Sequence, residues 1–291
     1  MNYRSQSRHL KRRIRKPFCG VDGEGGQIGA RHEYLLLRAG EYAIETGEPL
    51  THRETFPFLA DLPRDRIYVG YYFDYDVTKI LERLPSERIA RLLDRDSRTF
   101  GYIRSGPLAV DFGPYQFDYL PGKEFKVRRT IIEGKKYTPW TVINDVGSFF
   151  QCSFVEALRS WFPEPEFQPV IERIAIGKEQ RNSFGQVTEH EREYNKLEIK
   201  MLELLMERFR EVCDAVDLKP ALWQGPGNLV AAQFRKAGLL RNKDIPLLHE
   251  NTELVQMAND AFYGGRFCAR TFGLIVDYLP VRHKLSVRRS L

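Results

Sequence analysis

Two carboxylates stand two residues apart near the start of the chain, in Phe18-Cys19-Gly20-Val21-Asp22-Gly23-Glu24-Gly25-Gly26. The apolar run before them predicts a β-strand from Phe18 into Asp22, with a turn at Gly25 and Gly26. Side chains at i and i+2 of a strand project from one face, so Asp22 and Glu24 can grip one hard cation between them. The spacing is common. With 39 acidic residues in 291, about one Asp-x-Glu arises by chance, so its chemistry depends on partners supplied elsewhere.

Three later elements offer such partners. In Arg66 to Leu81, β-branched and aromatic residues give way to Val77, Ile80 and Leu81 at helical spacing, so a strand hands over to a helix at Asp74 or Asp76. Either acid serves equally well as a helix N-cap or as a neighbour of Asp22 and Glu24. Trp140-Thr141-Val142-Ile143-Asn144-Asp145 predicts another strand, with apolar residues at helical spacing from Val146 to Phe162. Asp145 at that junction reads first as a cap or structural acid and second as a ligand. The third element is a long helix from Thr188 to about Val216, opened by the capping-box spacing of Thr188 and Glu191. Its apolar stripe runs through Tyr194, Leu197, Met201, Leu204, Leu205 and Val212, and Glu198 falls on that inward face. An inward carboxylate is costly unless it is paired or binds a metal. The alternative is that Glu198 sits at the stripe's edge and reaches water.

The rest of the chain frames these elements. His32 to Arg38 predicts a buried second strand, Phe56 to Leu62 a helix or turn, and Thr99 to Ile132 two or three antiparallel strands. Beyond Pro220, helices are expected over 229–237 and 252–262, then a strand over 272–278. Hydrophobic residues make up 42% of the chain, enough for a globular core. No apolar run reaches the roughly 18 residues that span a bilayer, so a soluble cytoplasmic protein without membrane contact is expected, an organelle remaining open. The four cysteines form no Cys-x-x-Cys pair and read as reduced and mostly buried. The net charge of +6 sits at the ends, with seven Lys or Arg and no acid in residues 1–16 and four in the last twelve. The N-terminal run reads equally as an arm for nucleic-acid phosphates or as a solvated tail.

Taken in order, Asp22-x-Glu24, Tyr75-Asp76 and Tyr194-x-x-x-Glu198 resemble the three exonuclease motifs of family B DNA polymerases, most closely the phage and plasmid branch that includes the protein-primed enzymes. Tyr72 stands where the family often has Asn, and Glu198 replaces the usual Asp. Asn144-Asp145-Val146-Gly147-Ser148-Phe149-Phe150 is similar to the segment between the second and third motifs. Tyr263-Gly264-Gly265-Arg266 is similar to the linker motif that contacts DNA between exonuclease and polymerase domains. The palm's catalytic motifs do not occur before Leu291, so the expectation is the N-terminal part of a split, frameshifted or truncated polymerase gene.

The resemblance implies an α/β, ribonuclease H-like mixed sheet flanked by helices, with a C-terminal helical linker segment. It divides the chain into a basic tail (1–17), a 3′→5′ exonuclease domain (18–216) and a linker towards an absent palm (217–291). It further implies two Mg²⁺ or Mn²⁺ ions held by Asp22, Glu24, Asp76 and Glu198, with Tyr194 orienting the attacking water. If Asp76 points away, Asp74 or Asp145 is the substitute. DNA contacts are expected from Tyr72, Phe149, Tyr263, Gly264, Gly265 and Arg266. Tyr71 and Phe150 are further candidates for stacking on bases, with core packing as the alternative for all the aromatics. The implied partners are a single-stranded DNA 3′ end or primer-template, and a separate palm polypeptide. The alternative is a DNA-binding remnant with little turnover. An uncatalytic interaction protein is the third reading, in which the acids are only caps and surface charges.

Overall fold

The computed structural model describes residues 15–93, 109–131, 136–180 and 187–237. Tyr263, Gly264, Gly265 and Arg266 and the elements expected over 252–262 and 272–278 lie outside the described residues. Among those described, the strands are β1 (Phe18–Ile28), β2 (Arg31–Ala39), β3 (Tyr42–Glu45), β4 (Ile67–Gly70), β5 (Val110–Phe112), β6 (Tyr115–Leu120), β7 (Glu124–Ile131), β8 (Lys136–Tyr137) and β9 (Thr141–Asp145). They form one mixed sheet in the order β3-β2-β1-β4-β9-β7-β6-β5, with β8 paired to β7. The centre is parallel, β1 to β4 and β4 to β9, and antiparallel strands extend it on both sides.

Helices cover both faces: α1 (His52–Ala60), α2 (Asp74–Leu81), α3 (Ser86–Leu93), α4 (Gly147–Phe150), α5 (Phe154–Trp161), α6 (Gln168–Gln180), α7 (Glu189–Ala215) and α8 (Pro226–Lys236). Strand alternation divides the core. Cys19, Val21, Tyr68 and Ile143 face one cluster with Phe56, Leu59, Val77 and Ile80 of α1 and α2. Phe18 and Val69 face the other, with Phe154, Leu158, Ile174, Leu202 and Leu205 of α5, α6 and α7. This is an α/β fold compatible with a ribonuclease H-like description. No helix among the described residues is long and apolar enough to cross a membrane, and Cys19, Cys152 and Cys213 are free thiols.

Three local outcomes differ from the sequence expectation. The first strand does not stop at Gly25 and Gly26. A bulge between Glu24 and Gly25 keeps it paired with β2 to Ile28, and the reversal falls at Gly29, whose φ of 60° suits glycine. Second, the helical spacing over Val146 to Phe162 is broken in two. Gln151 adopts a left-handed φ of 55°, and Ser153 starts α5 with a capping box to Glu156. Third, α1 begins at His52 rather than near Phe56, because Thr51 and Glu54 form a capping box. The same device opens α7, where the Thr188 backbone N–H donates to Glu191 Oε2 at 2.8 Å.

Asp145 is a structural acid that ties two strand-to-helix junctions together. Its Oδ1 accepts from the backbone N–H of Tyr72 at 3.0 Å and of Gly147 at 3.1 Å, and its Oδ2 accepts from Phe73 at 3.1 Å. These bonds hold Tyr72 in a left-handed φ of 51°, costly for a tyrosine. Burial dominates its ionisation, pushing the carboxyl up to about 6 against the opposing pull of the three N–H groups. The folded state therefore binds more protons than the unfolded chain between about pH 4 and pH 6, and this group's contribution to stability declines as pH rises through that window. Urea unfolding should show that decline, and Asp145→Ala should flatten it while lowering stability by about 2–4 kcal/mol.

Candidate metal centre

The centre is built where α7 lies along β1. Gly20 permits the approach, since a Cβ there would come within 3.1 Å of Ile199. Glu203 Oε1 accepts the Gly20 N–H at 3.0 Å, and Glu207 Oε1 accepts the Phe18 N–H at 3.3 Å. With the helix anchored there, its preceding turn places Asn195 and Glu198 beside the even-numbered face of β1, where Asp22 and Glu24 follow Phe18 and Gly20. Asp22, Glu24 and Glu198 each bring a carboxylate oxygen within 4.8 Å of the others. Glu24 and Glu198 are buried and Asp22 is half-buried.

Donors from neighbouring elements face the three carboxyl groups. The Asn195 Nδ2 donates towards Glu24 Oε1 at 3.3 Å and towards Asp22 Oδ2 at 3.5 Å. Its amide cannot present the oxygen instead, because Arg38 Nε donates to Asn195 Oδ1 at 3.1 Å. Lys178 of α6 places its ammonium 2.5 Å from Glu198 Oε1. Burial lowers the affinity of the Arg38 guanidinium for its proton, with acids at 193, 45 and 189 opposing that effect. The Tyr34 phenol is raised well above its ordinary range, first by burial and then by the charges of Asp76, Asp22 and Glu24, so it stays neutral.

The other sequence candidates divide. Asp76 is buried and accepts the Tyr34 O–H at Oδ1 over 2.9 Å, and it lies outside the three-acid group. Asp74 is committed to the β6–β7 hairpin, accepting from Tyr119 Oη at 2.5 Å and the Gly122 N–H at 3.0 Å. Tyr194 is buried, its ring lying where a Cβ on Gly177 of α6 would be 2.0 Å away. Phe149 packs against Phe209 at 5.0 Å between centroids, and Tyr71 donates to the Cys152 carbonyl at 2.7 Å. Phe150 stacks against Tyr71. Of these aromatics Tyr72 is the open one, 49% exposed.

Tyr34, Arg38, Lys178 and Asn195 did not emerge from the sequence. Asn195 had a signal, being three residues before Glu198 on the same helical face. Arg38, ending an apolar run, had a weaker one. Lys178 had none, because α6 itself was not expected.

The donor set suits a hard divalent ion. At this separation the three carboxylates could hold a metal ion. Comparison with family models, curated proteins and solved structures gave no match.

Neutralising one acid should relieve repulsion while removing a ligand. Asp22→Asn is expected to raise the melting temperature of the metal-free protein by about 2–4 °C; millimolar Mn²⁺ is expected to shift the unaltered chain upward and to leave Asp22→Asn unmoved, both read by scanning calorimetry.

Proposed function

We propose that this chain is a metal-dependent 3′→5′ DNA exonuclease module of the family B polymerase type, acting on single-stranded 3′ ends. The observation that carries this reading is the meeting of Glu198 on α7 with Asp22 and Glu24 on β1. An inward carboxylate on a helix and an Asp-x-Glu within a strand, 174 residues apart in sequence at their closest, are what an exonuclease centre requires and what a set of caps and surface charges does not. Asp22, Glu24 and Glu198 hold the cation, and Asp76 is the fourth acid, since Asp74 and Asp145 are engaged elsewhere. Bound Mg²⁺ or Mn²⁺, two ions in the full site, supplies an activated water and neutralises the leaving 3′ oxygen.

The chain's own groups then have distinct tasks. Lys178 balances Glu198 before loading and releases it as positive charge arrives. Asn195 holds Asp22 and Glu24 with chosen oxygens towards Glu198. Tyr194, next to Asn195 on α7, orients the attacking water. Tyr72 offers an exposed aromatic face on which an unpaired base stacks.

One observation favours a second reading. The 2.5 Å Lys178–Glu198 pair fills part of the coordination that an ion needs, as expected of a DNA-binding remnant that no longer turns over. A 3′-labelled single-stranded oligonucleotide separates the two. The exonuclease reading predicts shortening from the 3′ end with Mg²⁺ or Mn²⁺, slowed roughly 10³-fold or more by Asp22→Ala/Glu24→Ala. DNA retention with equal inertness of both proteins assigns the chain to the remnant.

A further inference from the structure

Tyr34 occupies a position that requires two separate adjustments of the backbone around it. In β2 the even-numbered residues Leu36 and Arg38 lie opposite Glu24 and Asp22, and Arg38 reaches Asn195 on the α7 face. Regular alternation would put Tyr34 on that face too. The bulge intervenes: Glu24 pairs with Leu36 but Gly25 with Tyr34, so Leu35 is the extra residue and Tyr34 turns to the opposite face. There its ring joins the core cluster that α2 covers. Its hydroxyl needs the space below residue 23, where a Cβ would lie 1.8 Å from the phenol oxygen, so glycine is required between the two acids. From that position the O–H donates to Asp76 Oδ1 at 2.9 Å.

We infer that Tyr34 is a positioning residue for the second metal ion of the centre, fixing the Asp76 carboxylate against the underside of Asp22-Gly23-Glu24. This rests on the exonuclease reading and deepens it. The three-acid group of Asp22, Glu24 and Glu198 is gathered without Asp76. The first ion therefore needs nothing from Tyr34, whereas the second depends on a carboxylate delivered from α2 in a fixed orientation. Hydrogen bonds to a ligating carboxylate set its direction, and their loss typically weakens metal binding 10–100-fold. The bulge, the glycine and the phenol act together, which gives the Asp-Gly-Glu sequence a reason for its middle residue.

The test is Mn²⁺ titration by calorimetry of the full chain without DNA, alongside the Mg²⁺ dependence of oligonucleotide shortening. Tyr34→Phe keeps the ring and removes only the hydroxyl. The expected result is an unchanged first Mn²⁺, a second weakened about 10–100-fold, a matching rise in the Mg²⁺ concentration for half-maximal rate, and a rate at saturating Mg²⁺ within a few-fold of the unaltered protein. In an Asp76→Asn background, the same substitution should leave the titration unaltered, because its effect passes through that carboxylate. Equal titration curves for the Tyr34→Phe and unaltered proteins overturn the inference, as does weakening of both ions together, which marks a purely structural hydroxyl. If the unaltered protein binds two ions and Tyr34→Phe loses the second, yet neither shortens DNA, the positioning role stands and the exonuclease reading falls.

Discussion

Three carboxylates within 4.8 Å of one another, two of them buried, are the constraint to which the rest of the molecule answers. Two unit charges about 5 Å apart repel by about 3 kcal/mol at an effective dielectric near 20, and burial adds a desolvation cost to each. The fold tolerates this by surrounding the acids with fixed donors. Lys178 supplies a formal charge, and Asn195 an amide nitrogen whose orientation Arg38 enforces. A chain selected only for stability would gain by replacing these acids with apolar residues. Their convergence makes a group that could hold a metal ion.

That constraint explains the surrounding architecture. α7 must run close along β1 for Glu198 to reach the strand, and Gly20 removes the side chain that would hold it off. On the other side, Gly177 lets the Tyr194 ring sit against α6, which keeps Lys178 one residue further on at hand for Glu198. Asp145, though acidic and at the same end of the sheet, serves the backbone by holding the junctions that lead into α2 and α4. Its neighbour Asp74 secures the β6–β7 hairpin. The acids near this end of the sheet therefore differ in what engages them: Asp145 and Asp74 accept from backbone N–H groups, whereas Asp22, Glu24 and Glu198 converge on one another.

Much of this was legible in the sequence, for identifiable reasons. The period of two placed Asp22 and Glu24 on one strand face, and the period of 3.6 turned Glu198 inward on a helix whose capping box was visible. Both signals are local, so they survive folding intact. The handover expected at Asp74 or Asp76 was legible for the same reason, and the helix starts at Asp74. The length of β1 was not, since a bulge is decided by the partner strand and leaves only the ambiguous Gly25-Gly26. Lys178, Arg38 and Tyr34 owe their roles to contacts across the fold, over separations of 20, 157 and 42 residues to Glu198, Asn195 and Asp76 respectively. No local pattern records such contacts. Thr51 and Glu54 did carry a capping signal that locates the start of α1.

The central claim is that the Asp22, Glu24 and Glu198 carboxylates are a hard-cation site and not merely a compensated acidic cluster. Anomalous diffraction from crystals grown with Mn²⁺ tests it most directly. The account predicts an anomalous peak bonded to all three carboxylates at about 2.1–2.2 Å, with Glu198 drawn away from Lys178. Crystals that show no peak there at millimolar Mn²⁺, with the Lys178–Glu198 pair intact, would contradict it.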